Sequence, residues 1–538
     1  MNRLLTGISS GALSFALSTG AFAQEAAPAD AAATAAQAQQ AQTTQASKPG
    51  TRRKAPSGGV NTIVVTAQRR SEDLQDVPVA VNAIGSEELE QLNINTFDDY
   101  LEELPSVTAG GSGPGQSTIY IRGLASTTPN LTTAGVAGLA PNVSMYLDEQ
   151  PLAQPGRNLD VYAADLERIE VLKGPAAALI GRGEPGGTIN IVTKQAEIGR
   201  SFGTGSLQYG SYDRFRADAD ANLALTSGLT ARLIGYYENG DTFRDYVSQK
   251  RWGLLPSVGL TLGDRTRLTY DFEWTRVEVP FDRGIVVLNG DFDTVPRSRF
   301  LGEPGDGDTV ARATGHQLRL DHQFSDDWSL QVGASHRDTK LTGSSSDAEQ
   351  ARARQKLYVD GHSLSRQRRS RRYDAEHSVL RAELAGAFDT ASLRHRVLIG
   401  GDFDHFRYDN FFTRYRPPAV STNPDDQAGY VIDIDNPVYG RYPLPATAVL
   451  TNRLDTQRSF GFYVQDQIEL TDRLQIRLGG RYDNLTLKVD NRLLAPAIRH
   501  NSRRYERFSP QAGIVYDLNA AISLYAAYGE GYRANIGA

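Results

Sequence analysis

The chain has 538 residues, 22% charged and 40% apolar, enough for several domains or one large barrel with appendages. It has no Cys, which excludes disulfide staples, thiolate metal sites and Cys nucleophiles, and its formal net charge of −6 is too mild to argue for or against a nucleic-acid partner. Past the first few dozen residues no uncharged apolar run is long enough for a membrane helix, so a spanning form has to be a β-barrel, the other structure that satisfies every backbone group in lipid.

The chain opens as an address. Arg3 is a basic start, Leu4 to Leu17 a short apolar run, and Ala21-Phe22-Ala23 a small-x-small site, which together predict a cleaved signal peptide over 1–23. Residues 24–59 are Ala, Gln, Thr and Pro with almost no large apolar side chain. That composition cannot offset the entropy of ordering and predicts a disordered tether. Within 60–70 lies the β-branched run Thr62-Ile63-Val64-Val65-Thr66-Ala67, which reads equally as an edge strand of the next domain or as a lone strand ready for strand addition.

Residues 71–200 read as a mixed α+β domain. Ser86-Glu87-Glu88-Leu89 predicts a helix with a Ser cap and an acidic first turn, and Thr96 to Leu101 a second helix ending before Pro105. Strands are predicted at Ser117 to Arg122, Val143 to Leu147, Ile169 to Leu172 and Thr188 to Thr193.

From about Phe202 the texture changes to alternating segments. Gln317, Arg319, Asp321 and Gln323 alternate with Leu318, Leu320, His322 and Phe324, one face suited to lipid and the other to a wet lumen. Tight turns at Ser227-Gly228, Gly263-Asp264, Ser325-Asp326-Asp327, Asp389-Thr390, Thr471-Asp472 and Asn519-Ala520 punctuate long polar stretches at 279–313, 342–372 and 409–456. Short turns on one side and long loops on the other are the outer-membrane barrel pattern, with about thirteen strands over 201–538. The odd count, and an end beside the outer rim, imply a barrel missing its last strands.

Three patterns are weighed as decoys. Gly181-Arg182-Gly183-Glu184-Pro185-Gly186 fits a dinucleotide fingerprint but leads into a strand, where that site needs a helix. His316 and His322 are six apart on an apolar face, too far for one ion. The basic run Arg366 to Arg372 reads as a solvated loop, with an anion-binding or lipopolysaccharide-facing role as alternatives. No catalytic constellation emerges, so the chain is not read as an enzyme.

The residues resemble the TonB-dependent receptor family along the whole chain. Thr62 to Ala67 looks like the TonB box, Ile121-Arg122-Gly123 and Leu166 to Pro175 like plug signatures, and Pro185 to Lys194 like the plug's exit into the barrel. The resemblance implies an N-terminal α+β plug inside a transmembrane antiparallel β-barrel of about 22 strands. It implies ligand capture at the outer mouth, and a pull on the box by periplasmic TonB, driven by inner-membrane partner proteins. It also implies an electrostatic lock between plug arginines, here Arg122 and Arg168, and barrel glutamates, of which Glu530 matches one and a second would lie beyond Ala538. Simple alternation puts Glu530 on the apolar face, so a bulge near Gly529 is expected to turn it inward.

The implied function is energised import of a ferric siderophore across a Gram-negative outer membrane. Iron would travel inside the ligand, no cofactor would be held permanently, and lipid and lipopolysaccharide would surround the barrel. A rival is import of another scarce nutrient, such as a glycan fragment, an aromatic compound or a cobalamin-like ligand. A passive porin is the reading from a different class, and it needs neither plug nor box.

Overall fold

A computed structural model describes residues 13–14, 64–65, 72–73, 80–92, 94, 97–110, 118–124, 143–148, 150–151, 166–174, 186–284, 295–420, 430–519 and 522–532. Leu13–Ser14 of the expected leader lies antiparallel to Leu207 and Ser206. The rest of 1–23 and the tether 24–59 lie outside the described residues.

The N-terminal domain is built on a five-stranded sheet. Its strands are β1 (Ala80–Gly85), β4 (Val143–Leu147), β5 (Gln150–Pro151), β6 (Leu166–Lys173) and β7 (Gly187–Thr193), in the order β1-β6-β7-β4-β5. A hairpin of β2 (Val107–Gly110) and β3 (Thr118–Ile121) stands apart from that sheet. Helices α1 (Ser86–Gln91) and α2 (Phe97–Glu102) complete the domain. Burial is nearly continuous along β4, β6 and β7, because helices and the hairpin cover one side and the barrel wall meets the other. Ile119, Ile121, Val143, Met145, Ile169 and Ile189 form the dry centre. One expectation fails here: the α1 cap is Gly85, with no side-chain cap bond, and Ser86 is already helical. The acidic first turn, Glu87 and Glu88, supplies charge toward the helix dipole instead. Strands β1 and β2 were not anticipated, and neither carries a clear alternation.

A single antiparallel sheet follows. Among the described residues it has thirteen consecutive long strands: β8 (Phe202–Gly210), β9 (Arg214–Ala224), β10 (Leu229–Asp241), β11 (Ser248–Leu262), β12 (Thr266–Pro280), β13 (Asp308–Gln323), β14 (Trp328–Ala348), β15 (Ser363–Thr390), β16 (Leu393–Tyr415), β18 (Ala448–Thr471), β19 (Leu474–Asn491), β20 (His500–Asn519) and β21 (Ile522–Gly529). The short β17 (Val431–Asp433) pairs with the start of β15. Leu318, Leu380, Phe403, Phe462 and Leu478 point outward and are exposed. So large an apolar face would be a liability in water and is the normal exterior of a lipid-embedded barrel. The inward parity carries Gln317, His377, Arg381, Asp404, Gln465 and Arg481, all buried. Among the described residues no helix is long and apolar enough to cross a membrane.

Strands β14 and β15 run for 21 and 28 residues, well past the roughly 9–11 needed to cross a bilayer. This corrects the reading of 342–372 as one polar loop: 342–348 and 363–372 are strand, and the connection is only 349–362. Likewise β13 begins at Asp308, β16 reaches Tyr415 and β18 starts at Ala448, so all three polar stretches are shorter than expected. The surplus strand builds the wall of a chamber on the long-loop side. Its loops pack around a small apolar core of Val295, Leu301, Leu357, Leu364, Ile432 and Ile434.

Candidate ligand chamber and plug contacts

The segment expected to serve as partner strand comes first in the chain. Val64–Val65 pairs antiparallel with Glu72–Asp73. Thr62, Ile63, Thr66 and Ala67 lie outside the described residues.

The passage from plug to barrel is tied to the short-turn ends of the first barrel strands. Ala196 N donates to Ser257 Oγ (3.1 Å), and Arg267 Nη2 to Ala196 O (2.8 Å). Asn222 Nδ2 donates to the carbonyls of Glu197 (3.0 Å) and Arg200 (2.8 Å). Upstream, the glycine-rich exit motif ends at Gly187, whose φ of +128° suits glycine; a Cβ there would strike the Leu172 carbonyl. Gly187, next after the dinucleotide-like motif, opens strand β7 and not the helix that a nucleotide site needs; of the motif itself only Gly186 lies among the described residues. The two decoy histidines face outward among aromatic rings. His316 Nδ1 meets Tyr270 Oη at 2.9 Å and His322 Nδ1 meets Thr266 Oγ1 at 2.8 Å.

The domain sits against the wall through a mixed contact. Tyr146 and Leu172 pack with Leu398 and Tyr463 of the barrel. Behind them the wall is charged. Arg481 donates to Asp402 (2.7 and 2.9 Å) and Asp483 (2.8 Å), and its guanidinium fills the space over Gly461 that any side chain would occupy. Tyr463 Oη donates to Glu383, and His377 pairs with Asp404. Nearby, a cleft opens between Asp148 and Gln150 of the plug and Glu273, Gln317 and Arg337 of the wall.

The residues assigned to the lock are placed separately. Arg168 Nε donates to Glu170 Oε1 (2.7 Å), and Asn190 Nδ2 donates to Glu170 Oε2 (3.1 Å), inside the plug sheet. Arg122 is exposed on the turn after β3, in left-handed backbone (φ 52°) ahead of Gly123 (φ 74°). Its charge adds to burial in holding the Lys173 ammonium below its ordinary value. Glu530 accepts from Arg507 Nη2 (2.7 Å) and Tyr528 Oη (2.8 Å), both from the barrel. The register irregularity expected near Gly529 lies instead between Asp517 and Asn519.

The basic run is not a solvated loop. It is strand, and period two splits it between two faces. Arg366 is buried against the Tyr430 ring (4.1 Å) with Glu303 (3.2 Å), and Arg368 pairs with Asp306 (2.7 Å), so the even positions fasten the loop core. The odd positions face the chamber. Arg369 lies 3.5 Å from Asp347, which also accepts from Gln367 Nε2 (2.8 Å) and pairs with Arg283 (3.4 Å). One level up, Glu349 is paired with Arg416 (2.9 Å) and Arg414 (4.0 Å). Burial pushes the Glu349 carboxyl up, but Arg416, the Ala351 amide and Arg414 outweigh it and hold it below the ordinary range. Phe281 carries the guanidiniums of Arg283 (4.8 Å) and Arg371 (5.0 Å) on its ring.

A strand wall with lipid-suited exterior, a polar inner face and an α+β domain seated on that face defines a plugged outer-membrane-type receptor barrel. Two family descriptions match: the TonB dependent receptor-like beta-barrel over residues 251–538 and the TonB-dependent Receptor Plug Domain over 73–188. The chain belongs to the TonB-dependent receptor family. Among its relatives is the metal-pseudopaline receptor of Pseudomonas aeruginosa, 32% identical over 70% of this chain and 51% of the relative. Another is the ferrioxamine receptor of Yersinia enterocolitica, 26% identical over 88% of this chain and 64% of the relative. The chain thus spans about half the length of the first and under two thirds of the second. The fold is also that of the siderophore receptor PiuA from Acinetobacter baumannii, with TM-score 0.74, 20% identity, and cover of 88% of this chain and 66% of that one.

Proposed function

We propose that this chain serves TonB-dependent import of a metal chelate across the outer membrane, with a ferric siderophore as the cargo. The observation that carries the reading is the seating of the plug: Tyr146 and Leu172 against Leu398 and Tyr463, inside a wall whose strands rise into a walled chamber. A channel that conducts passively has no use for a folded domain in its lumen. The relatives are receptors for metal-pseudopaline and for ferrioxamine, which supports a metal-chelate cargo over a glycan or an aromatic nutrient. TonB would add a strand to the segment Thr62 to Ala67, since strand addition resists an in-line pull through several backbone hydrogen bonds at once. Arg122, Arg168 and Glu530 would act in the plug–barrel lock during that pull, exchanging their present partners. The signal peptide over 1–23 would deliver the chain to the periplasm. Uptake of a radio-iron chelate by cells carrying the receptor should stop when a proton uncoupler is added. Uptake that continues unchanged would mean an open channel and overturn the proposal.

A further inference from the structure

Among the described residues the chamber wall carries charge out of balance. Asp347 is shared by Arg283 and Arg369, and Glu349 by Arg414 and Arg416, so two described carboxylates answer four guanidiniums. Arg371 adds to the positive field at Asp347. The two signs also differ in depth. The Asp347 and Glu349 side chains are 3% and 1% exposed, whereas Arg283, Arg414 and Arg416 are 22%, 23% and 43% exposed. The anions are sunk into the wall together with Arg369, whose side chain is 8% exposed, while Arg283, Arg414 and Arg416 reach its surface. A network that served packing alone would match its charges, because surplus like charge at close range repels and lowers stability.

The direction of this surface follows from strand register. Asp347 lies opposite Gln367 across β14 and β15, and Arg414 Nε donates to the Gln367 amide oxygen, so these side chains share the inward parity. They therefore face the chamber and not the lipopolysaccharide leaflet. Arg414 is oriented by Gln367 and Arg416 by two hydrogen bonds from Nε (3.0 Å) and Nη2 (2.9 Å) to Glu349. Their remaining N–H groups are held in fixed planes on an exposed surface, the arrangement that accepts a carboxylate in bidentate fashion.

We propose that this surface selects a metal chelate of net negative charge carrying free carboxylates, which Arg414 and Arg416 bind directly while Arg283 and Arg369 supply the field. The inference rests on the uptake reading and narrows its cargo. Two probes that share the metal and differ in charge test it: ferric citrate, which is anionic and carboxylate-rich, and a neutral ferric tris-hydroxamate. Binding of each to the intact purified chain is measured by calorimetry, for the parent and for the double variant Arg414→Gln with Arg416→Gln. The parent should prefer ferric citrate by about tenfold or more, the worth of one or two charge-assisted hydrogen bonds. That preference should shrink as salt is raised. In the double variant it should vanish, with hydroxamate affinity unchanged. Equal affinity of the parent for the two probes, or a preference that survives the double substitution, overturns the inference and leaves the uptake reading standing. Binding of neither chelate to the folded parent sinks both.

Discussion

The plug and the wall it sits on are held by opposite means. Inside the plug, Ile119, Ile121, Val143, Met145, Ile169 and Ile189 close on one another without a polar atom among their side chains. On the barrel's inner wall, charged and polar groups are packed together: Arg481 with Asp402 and Asp483, Arg381 with Glu383, His377 with Asp404. Among the described residues the apolar contact between the regions is a small patch, Tyr146 and Leu172 on Leu398 and Tyr463, set in that polar surround. A dry core loses its full hydrophobic stabilisation when opened, while a polar interface exchanges protein partners for water at modest net cost. The plug is therefore built to stay folded, and its seat is built to be rewetted, which suits the shift that the proposed uptake would require of it.

The comparison breaks most readily at the wall. Arg481→Met removes the buried guanidinium that pairs with Asp402 and Asp483 and should cost about 3–5 kcal/mol, read as a lowered thermal midpoint of the barrel. An unchanged midpoint would mean the wall does not depend on its ion pairs. Ile189→Ala in the plug should cost about 2–5 kcal/mol but should appear as faster amide exchange and proteolysis of residues 80–193, with the barrel midpoint kept. If both regions melt together, the plug is not self-supporting. Tyr463→Phe is gentler. It deprives the buried Glu383 of a donor while keeping the ring on Leu398, for a loss of about 1.5–3 kcal/mol seen in the barrel alone.

The smallest effect is a pH dependence of the chamber. The Glu349 carboxyl titrates below its ordinary value in the folded chain, so the unfolded chain binds its proton more readily. Its contribution is present above the unfolded value and is lost as pH falls through the depressed folded one. Acid unfolding of the parent should therefore show an added loss below the ordinary Glu range that Glu349→Gln lacks. Superimposable pH profiles for the two proteins would show that the pairing with Arg416 contributes nothing.

Much of the barrel was legible because its signal is local. The turns at Ser227-Gly228, Gly263-Asp264 and Ser325-Asp326-Asp327 fall between β9 and β10, β11 and β12, and β13 and β14, and the alternation of Gln317 to Phe324 gives the two faces directly. Strand length was not legible. A polar, serine-rich stretch such as Gly343 to Ala348 looks like loop when no apolar belt crosses it, yet above the membrane both faces of a strand meet water or other polar groups. The pairing of Arg168 with Glu170 was within reach, since residues two apart on a strand share a face. Arg481 with Asp402 was not, because the register across β16, β18 and β19 decides which of many carboxylates it meets. The basic run shows both limits: its composition was plain, and its split into a loop-fastening face and a chamber face needed the strand.

The central claim is that the plugged barrel works only when pulled through the segment at Val64–Val65. The direct test is Val65→Pro, which removes a backbone donor from that strand without touching the chamber. Cells carrying the variant should bind a radio-iron chelate at their surface as the parent does and accumulate none of it inside. Accumulation at the parental rate would contradict the account.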